Sequence, residues 1–505
     1  MLLQRIIEGL EIEEIKGKTD IEISNITYDS RKAIKNSLFV CIEGSVTDGH
    51  KYIPEAIENG AIAVLIQKNV CVPDDVTSIK IKDTRYGLAY VSSAFFDHPS
   101  EYFKLIGITG TKGKTTITFM VKNILEKAGQ KVGLIGTIMN MIGDKPIYSG
   151  RITTPESYDL QFIFSEMLKK NVSSVVMEVS SQGLKLNRVS CCDFDIGVFT
   201  NLYKDHISPT EHDSIEDYFA AKSILFDMCK NGLVNIDNPY SERILKKASS
   251  KIYTYGIEKN CDIKAKNIIK HPDCIEFDVD SKWFNEPDER HIKVSIPGLF
   301  TVYNALAAIG VSYLLGIPYK FIKEGLENVK VPGRAEIVET NNDFTVIVDY
   351  AHTADSLENI LNTVKDFASG RVVCVFGCGG NKDRGRRFGM GEVSGRIADF
   401  TIITTDNPRS EDPESIINDI ETGIKKTNGT YIKITDRRSA IKYAVENAKP
   451  GDIIVIAGKG HETYQIFKDK TIHFDDREVV RELIDELSNN NAIGQRRQTN
   501  AVDEL

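Results

Sequence analysis

Apolar positions along the 505-residue chain fall into short runs cut by polar and glycine-rich turns, and the runs group into three regions. In the first, Leu38–Ile42 and Ala61–Ile66 are strand-length apolar stretches between polar turns, which predicts a small α/β unit over residues 1–100. The second, residues 101–331, opens with an apolar run over Leu105–Ile108 that stops at a Gly/Thr/Lys-rich turn. Beyond the turn, Ile117, Met120, Val121, Ile124, Leu125 and Ala128 recur at helical spacing and predict one apolar helix face. VSSVVMEVS (172–180) and DIGVFTNL (195–202) read as further buried strands. The third region, 332–488, begins at Pro332-Gly333 and holds four β-branched runs, TVIVDYAH, RVVCVFGCGG, FTIITTDNPR and DIIVIAGKG. Each run passes into polar or glycine residues and then a helix-compatible segment, the rhythm of a parallel sheet whose ligands gather at the carboxyl ends of its strands. Residues 489–505 carry little apolar content and are expected to form a mobile tail.

Length and composition agree with three domains, since about 150 residues make an ordinary domain. With 41% hydrophobic and 27% charged residues, the chain can bury genuine cores. Its net charge of -9 and lack of a long basic block argue against nucleic acid as a partner. Glutamates interrupt the amino-terminal MLLQRIIEGLEIEEIKG where a signal peptide needs an apolar core, and no stretch approaches the ~18 apolar residues of a membrane span. The nine cysteines are scattered without zinc-ligand spacing, so a reduced, cytoplasmic protein with no membrane insertion is expected.

Candidate chemistry is concentrated in GITGTKGKTT (107–116). Placed between a strand and an amphipathic helix, such a turn closes backbone N–H groups around phosphate oxygens, and the helix N-terminus adds positive potential. Lys114 is suited to reach the β/γ-phosphates and the Thr115 hydroxyl to ligate Mg²⁺. Spacing departs from the standard Walker form, with Ile108 five positions before Gly113; the competing reading is an ordinary glycine-rich βα turn. Glu178, at the end of VVMEVSS, and Asp205-His206 are candidate metal ligands downstream. GCGG (377–380) matches only half a dinucleotide fingerprint, and Asp349 and His352 have no nucleophile set beside them by sequence.

Taken in order, YDSRK (28–32), DGH (48–50), GTKGKTT (110–116), TTPE (153–156), MEVSS (177–181), TNLYKDH (200–206), YFAAKSILF (218–226), YNALAA (303–308), VPGRAE (331–336), DYAHTADSL (349–357), GCGG, DNPR (406–409) and AGKGHE (457–462) closely resemble one family, the Mur ligases. These are ATP-dependent amide-forming enzymes of peptidoglycan assembly. The resemblance spans residues 20 to 480. It implies an α/β fold of three domains: an N-terminal domain for a uridine nucleotide, a central P-loop ATPase domain and a Rossmann-like C-terminal domain for the incoming amino acid. The implied reaction has a substrate carboxylate attack the ATP γ-phosphate, after which an amine displaces phosphate from the acyl phosphate. Two anions meet in the first step, so cationic and metal screening is its main requirement.

By the same resemblance, Gly110, Thr111, Lys112, Gly113, Lys114, Thr115 and Thr116 bind ATP together with Asn304, Arg334 and Asp349. Thr115 and Glu178 serve one Mg²⁺ and His206 a second. Lys222 matches the lysine the family carries as a carbamate, N6-carboxylysine, which turns a cation into a carboxylate that assists metal binding. Lys114, Glu178, His206 and Lys222 are thus the implied catalytic residues. Ser30, Arg31 and His50 match the contacts to the uridine nucleotide, and Thr153, Thr154, Ser180 and Arg188 those to the sugar and peptide.

Within this family, lysine and meso-diaminopimelate compete as the amino acid added. Diaminopimelate has an extra carboxylate at its far end that the Arg409 fork of Asp406-Asn407-Pro408-Arg409 can pair. Facing lysine, that guanidinium would lack its partner. Asn407, Gly458 and Glu462 are placed to hold the far ammonium and carboxylate. Lys382 follows GCGG where the family commonly has arginine, which keeps the charge and loses the fork. Other departures are Gln182, Leu186, Ala354 and a two-residue insertion between His206 and Lys222. The expectation is a monomeric ligase that uses ATP and Mg²⁺ to add meso-diaminopimelate to UDP-N-acetylmuramoyl-L-alanyl-D-glutamate. Its rivals are the same ligation with L-lysine or another amino acid, a P-loop ATPase or kinase without amide formation, and a silent binding module.

Overall fold

Runs of Val and Ile that alternate with amphipathic segments fold here as separate sheets, each with helices against it. The computed structural model describes residues 1–44, 47–147, 152–204, 207–208, 211–283, 290–340 and 342–487. Thus Asp205, His206 and the expected 489–505 tail lie outside the described residues.

The amino-terminal sheet contains β1 (Glu14–Lys16), β2 (Asn25–Thr27), β3 (Ser37–Val40), β4 (Ala61–Ile66) and β5 (Thr77–Lys80), in the order β1-β5-β4-β3-β2. All neighbours are parallel except β1, which caps the edge antiparallel to β5. Side chains alternate across the sheet: Leu38, Val40 and Leu65 enter one core with Leu88 and Val91, while Phe39, Cys41 and Val64 enter another with Ile53 and Ala56.

Next come β6 (Lys104–Thr109), β7 (Val132–Ile135), β8 (Asn140–Ile142), β9 (Lys145–Pro146), β10 (Ser174–Glu178), β11 (Phe194–Phe199), β12 (Cys229–Asn235), β13 (Lys251–Gly256) and β14 (Ile263–Lys270). From β13 the order is β13-β12-β11-β6-β10-β7-β8-β9, parallel from β13 to β7. The predicted amphipathic helix is Lys114–Lys127, with Ile117, Met120, Val121, Ile124 and Leu125 buried. Two further strands, β15 (Ile275–Asp280) and β16 (His291–Val294), pair antiparallel.

The four β-branched runs of the last region become β18 (Thr345–Asp349), β19 (Val372–Phe376), β20 (Phe400–Ile403) and β22 (Ile453–Ala457). With β17 (Glu336–Val338) and β21 (Tyr431–Lys433) they form a sheet of order β17-β18-β22-β19-β20-β21, parallel except for β17. A hairpin of β23 (Tyr464–Ile466) and β24 (Thr471–His473) follows.

Two compact units emerge: the described residues within 1–266, 279–290 and 303–326 form the first, and those within 267–278, 291–302 and 327–487 the second. Among the described residues, no helix is long and apolar enough to cross a membrane. All nine cysteines are free.

Candidate active site

Four adjacent parallel strands of the first unit, β11-β6-β10-β7, deliver their carboxyl ends to one place. The glycine-rich turn follows β6 and rests on the segment after β11. Thr111 N–H donates to Asn201 O (2.9 Å), Lys112 N–H to Asn201 Oδ1 (2.9 Å) and Thr200 Oγ1 to Lys112 O (2.7 Å). Gly110 has φ +149°, and a Cβ there would overlap the Thr200 hydroxyl, so only glycine fits this approach. Lys114 folds back over the turn, its Nζ donating to the carbonyls of Gly110 (2.9 Å) and Thr111 (3.2 Å). Asn304 lies against Gly113, whose Cβ position is 2.5 Å from Asn304 Oδ1. Thr116, at the start of the helix, is buried.

Glu178, at the end of β10, is only 1% exposed. Its Oε1 accepts from Thr115 Oγ1 (2.9 Å) and Thr137 N–H (3.0 Å), and its Oε2 from Thr137 Oγ1 (3.0 Å). Buried carboxylate and threonine oxygens are the hard donors that suit Mg²⁺. Lys222 is equally buried at 1%, with Nζ donating to Gly110 O (3.0 Å) and lying 4.5 Å from the Tyr218 ring centroid. That sets its ammonium against the first carbonyl of the same turn.

Hydroxyls extend the line from Glu178. Thr137 Oγ1 lies 3.0 Å from Thr153 Oγ1, and Thr154 Oγ1 donates to Glu178 O (3.0 Å) and Ser180 Oγ (3.1 Å). Arg188 reaches Thr154 O (3.3 Å) and pairs with Glu156 (2.8 Å), which Arg85 of the amino-terminal sheet region approaches at 3.7 Å. Tyr28 donates to Asp159 (2.6 Å) and Asn187 to Asp83 (2.9 Å) across the same junction. Of the expected nucleotide contacts, Ser30 donates to Glu55 (2.6 Å), and His50 is buried with both ring nitrogens engaged, by Asp48 (2.6 Å) and Gln67 N–H (3.1 Å). Arg31 is exposed and braced by Asp29 (2.8 Å), whose carboxyl it holds below the usual range. All three lie in the amino-terminal sheet region.

In the second unit, β18, β22, β19 and β20 are adjacent and parallel, and each ends in a singled-out motif. Arg409 adopts φ +54°, uncommon for a residue with a Cβ and a mark of a side chain whose direction matters. Its Nη1 donates to Gly380 O (2.8 Å). A Cβ on Gly379 would lie 2.9 Å from Arg409 Nη1 and 3.7 Å from Cγ of the Lys382 stem. The Pro408 carbonyl presses on Gly380. Asn407 is buried, with Nδ2 donating to Glu462 (2.8 Å) and Oδ1 accepting from Ile466 N–H (3.0 Å) and Lys459 Nζ (3.3 Å). Asp406 accepts from the Asn407 N–H (2.6 Å), and Gly458 N–H donates to Asp349 O (3.1 Å). Arg334 lies over the Tyr350 ring (4.8 Å), and Asp349 accepts from Ala335 N–H (2.8 Å). Arg334 and Asp349 belong to the second unit, Asn304 and the glycine-rich turn to the first.

Sequence reasoning missed several members. Thr137, after β7, holds both Glu178 oxygens; a strand-end Gly-Thr in a parallel sheet was its one visible signal. Lys459, fully buried against Glu462 (3.1 Å), sits inside AGKGHE. His212 joins Asp217 (2.8 Å) to Ser181 (2.8 Å) and packs on Tyr218, with burial pulling its pKa down. Arg437 binds Asp476 in a fully buried pair (2.7 and 2.8 Å) and donates to Ala457 O (3.0 Å) and Thr405 O (3.4 Å), bracing the ends of β22 and β20.

A phosphate-binding turn with a buried carboxylate beside it in one unit, and a cationic strand-end cradle in the other, define an ATP-dependent ligase. Three family models match in sequence: "Mur ligase family, catalytic domain" over residues 22–99, "Mur ligase middle domain" over 108–312 and "Mur ligase, glutamate ligase domain" over 333–460. A Clostridium botulinum protein named UDP-N-acetylmuramoyl-L-alanyl-D-glutamate--2,6-diaminopimelate ligase is 52% identical over 493 residues, covering 96% of this chain and all of its own. The Clostridioides difficile protein of that name is 45% identical over 492 residues, again 96% of this chain and 100% of its own. A solved structure bearing the same name superposes with a TM-score of 0.70 at 30% identity, covering 97% and 99% of the two chains. The MurF ligase from Thermotoga maritima in complex with ADP shares the fold, with a TM-score of 0.59 at 16% identity over 92% and 97%. The chain belongs to the Mur ligase family.

Proposed function

We propose that this enzyme joins meso-diaminopimelate to UDP-N-acetylmuramoyl-L-alanyl-D-glutamate at the expense of ATP, through an acyl phosphate, in peptidoglycan precursor synthesis. Relatives so named align along 96% of the chain. The observation that carries the amino-acid assignment is the Arg409 guanidinium, on a backbone at φ +54° and packed against Gly379, with the Lys382 stem near the same glycine. A guanidinium at this point suits a ligand with a second carboxylate and opposes one ending in an ammonium. Asn407, Lys459 and Glu462, bonded to one another, supply the donors and acceptor for the far amino-acid centre.

In this reading a carboxylate oxygen of the dipeptide attacks the γ-phosphorus and the bond to the β-bridging oxygen breaks, releasing ADP. The amine nitrogen of diaminopimelate then attacks the acyl carbon, the C–O bond to phosphate breaks, and the surplus amine proton passes to solvent. Lys114 leaves the Gly110 and Thr111 carbonyls to neutralise the phosphates as they enter the turn. Thr115 and Glu178 would hold one Mg²⁺ and His206 a second, with a carbamylated Lys222 assisting metal binding; bound Mg²⁺ would supply charge screening between the two reacting anions. Thr153, Thr154, Ser180 and Arg188 position the sugar and peptide, and Ser30, Arg31 and His50 frame the uridine nucleotide. Asn304, Arg334 and Asp349 line the rest of the ATP site. The acidic charge and nine free cysteines support a cytoplasmic setting without a nucleic-acid partner, and we take the enzyme to act as a monomer.

Product analysis tests this directly. Incubation with ATP, Mg²⁺, the UDP-muramoyl dipeptide and meso-diaminopimelate is expected to yield ADP, phosphate and UDP-muramoyl tripeptide in equal amounts by mass spectrometry. ADP formed without any tripeptide would leave only an ATPase.

A further inference from the structure

A second cluster of metal-ligating side chains lies outside the ligase site. Between β14 and β15 the chain reverses in the four residues His271-Pro272-Asp273-Cys274, with His271 N–H donating to Cys274 O (3.0 Å). The turn brings the first and last side chains together, and Glu276, two residues on, falls on the same strand face as Cys274. Ligand atoms of His271, Cys274 and Glu276 all lie within 4.8 Å of one another. Zinc bonds of about 2.0–2.3 Å set tetrahedral ligand separations of about 3.3–3.8 Å, so small side-chain rotations close this set on an ion.

Three features go beyond proximity. His271 Nε2 is buried with no hydrogen-bond partner among the described residues, although Glu276 Oε1 lies 3.7 Å away. The Cys274 side chain is buried and free of any disulfide. Across the β15–β16 ladder, Asp278 faces His291 and takes its Nδ1 at 3.1 Å, which turns the other ring nitrogen, Nε2, toward Glu276 at 3.5 Å. Asp278 is itself steadied by Asn267 Nδ2 (2.8 Å). A carboxylate that fixes the far nitrogen of an imidazole is the usual support of a metal-bound histidine.

We propose that His271, Cys274, Glu276 and His291 form a binding site for a divalent transition metal, with Zn²⁺ the fitting ion. Thiolate and imidazole ligands select Zn²⁺ over the Mg²⁺ that the ligase chemistry uses. The ion would staple the His271–Cys274 turn to β16.

The test uses the full-length, chelator-treated protein in saturating Mg²⁺, with Co²⁺ as the probe. One equivalent of Co²⁺ is expected to produce thiolate-to-cobalt charge-transfer absorption, which Zn²⁺ then removes. Residues proposed for Mg²⁺ include no cysteine, so cobalt bound there adds nothing to this band. Cys274→Ser is expected to abolish the band, and His271→Ala and Asp278→Asn to weaken Co²⁺ binding at least about tenfold with unchanged circular dichroism. Absence of the band in the unaltered protein, its persistence in Cys274→Ser, or unchanged affinity in His271→Ala would overturn the proposal.

Discussion

Arg437 supplies a test of how the amino-acid cradle is held in place. Its guanidinium and the Asp476 carboxylate are both 0% exposed, joined by two bonds of 2.7 and 2.8 Å. The same guanidinium donates to the carbonyls of Ala457 and Thr405, the residues just before Gly458 and Asp406. In Arg437→Leu, Asp476 remains as a buried charge without its partner, a loss of about 3–5 kcal/mol. Whole domains are stable by only about 5–15 kcal/mol, so the ends of β20 and β22 should open far more often. Hydrogen exchange reads this locally: at about 1.4 kcal/mol per decade, amides of β20 and β22 should exchange at least a hundredfold faster. Because Asp406–Arg409 and Gly458 follow these strands, KM for the amino acid should rise at least about tenfold. Replacing both partners, Arg437→Met with Asp476→Leu, removes the stranded charge and should restore most of the protection. Exchange within threefold of wild type in Arg437→Leu, or a double variant as labile as the single one, would refute the reasoning.

Other expectations are as specific. Gly110→Ala puts a methyl group into the Thr200 hydroxyl at φ +149° and should eliminate ATP binding, measured by calorimetry, while the fold persists. Thr137→Val takes a hydroxyl from Glu178 and Thr153 and should lower kcat about tenfold in steady-state assays, with melting temperature little changed. His461 is held neutral, its pKa lowered from 6.5 to about 3 by burial and then by Arg334 and Arg477. The unfolded chain takes up a proton below pH 6.5 and the native one does not, so stability falls as pH drops from 6.5 toward 3, by at most about 1.4 kcal/mol per unit. Urea midpoints in His461→Gln should show a flatter decline than wild type between pH 6.5 and 5.

Elements whose cause is local were legible in the sequence. The Ile117–Leu125 stripe could only be an amphipathic helix, and the Val/Ile runs at 345–349, 372–376, 400–403 and 453–457 became adjacent parallel strands. Motifs fixed by backbone demands were equally visible, the Gly110–Gly113 turn above all. Partners chosen by strand order were hidden. Thr137 meets Glu178 because β7 neighbours β10 in the sheet, across 41 residues of chain. Arg437 and Asp476 are 39 residues apart, and either alone reads as a surface charge. His212 carries no local signal in the sequence; the fold sets it between Asp217 and Ser181. The His271–Cys274–Glu276 cluster escaped because paired-cysteine spacing does not describe a turn that uses imidazole, thiol and carboxylate once each.

Selection of an amino acid with a second carboxylate is assigned to the Arg409 guanidinium. Phosphate release with ATP, Mg²⁺ and the UDP-muramoyl dipeptide, compared for meso-diaminopimelate, L-lysine and no amino acid, tests it most directly. The expected result is turnover with diaminopimelate, a kcat/KM for lysine at least about a hundredfold lower, and no release without an amino acid. Equal turnover with lysine would contradict the selectivity assigned to Arg409, and release indifferent to both would contradict the ligase.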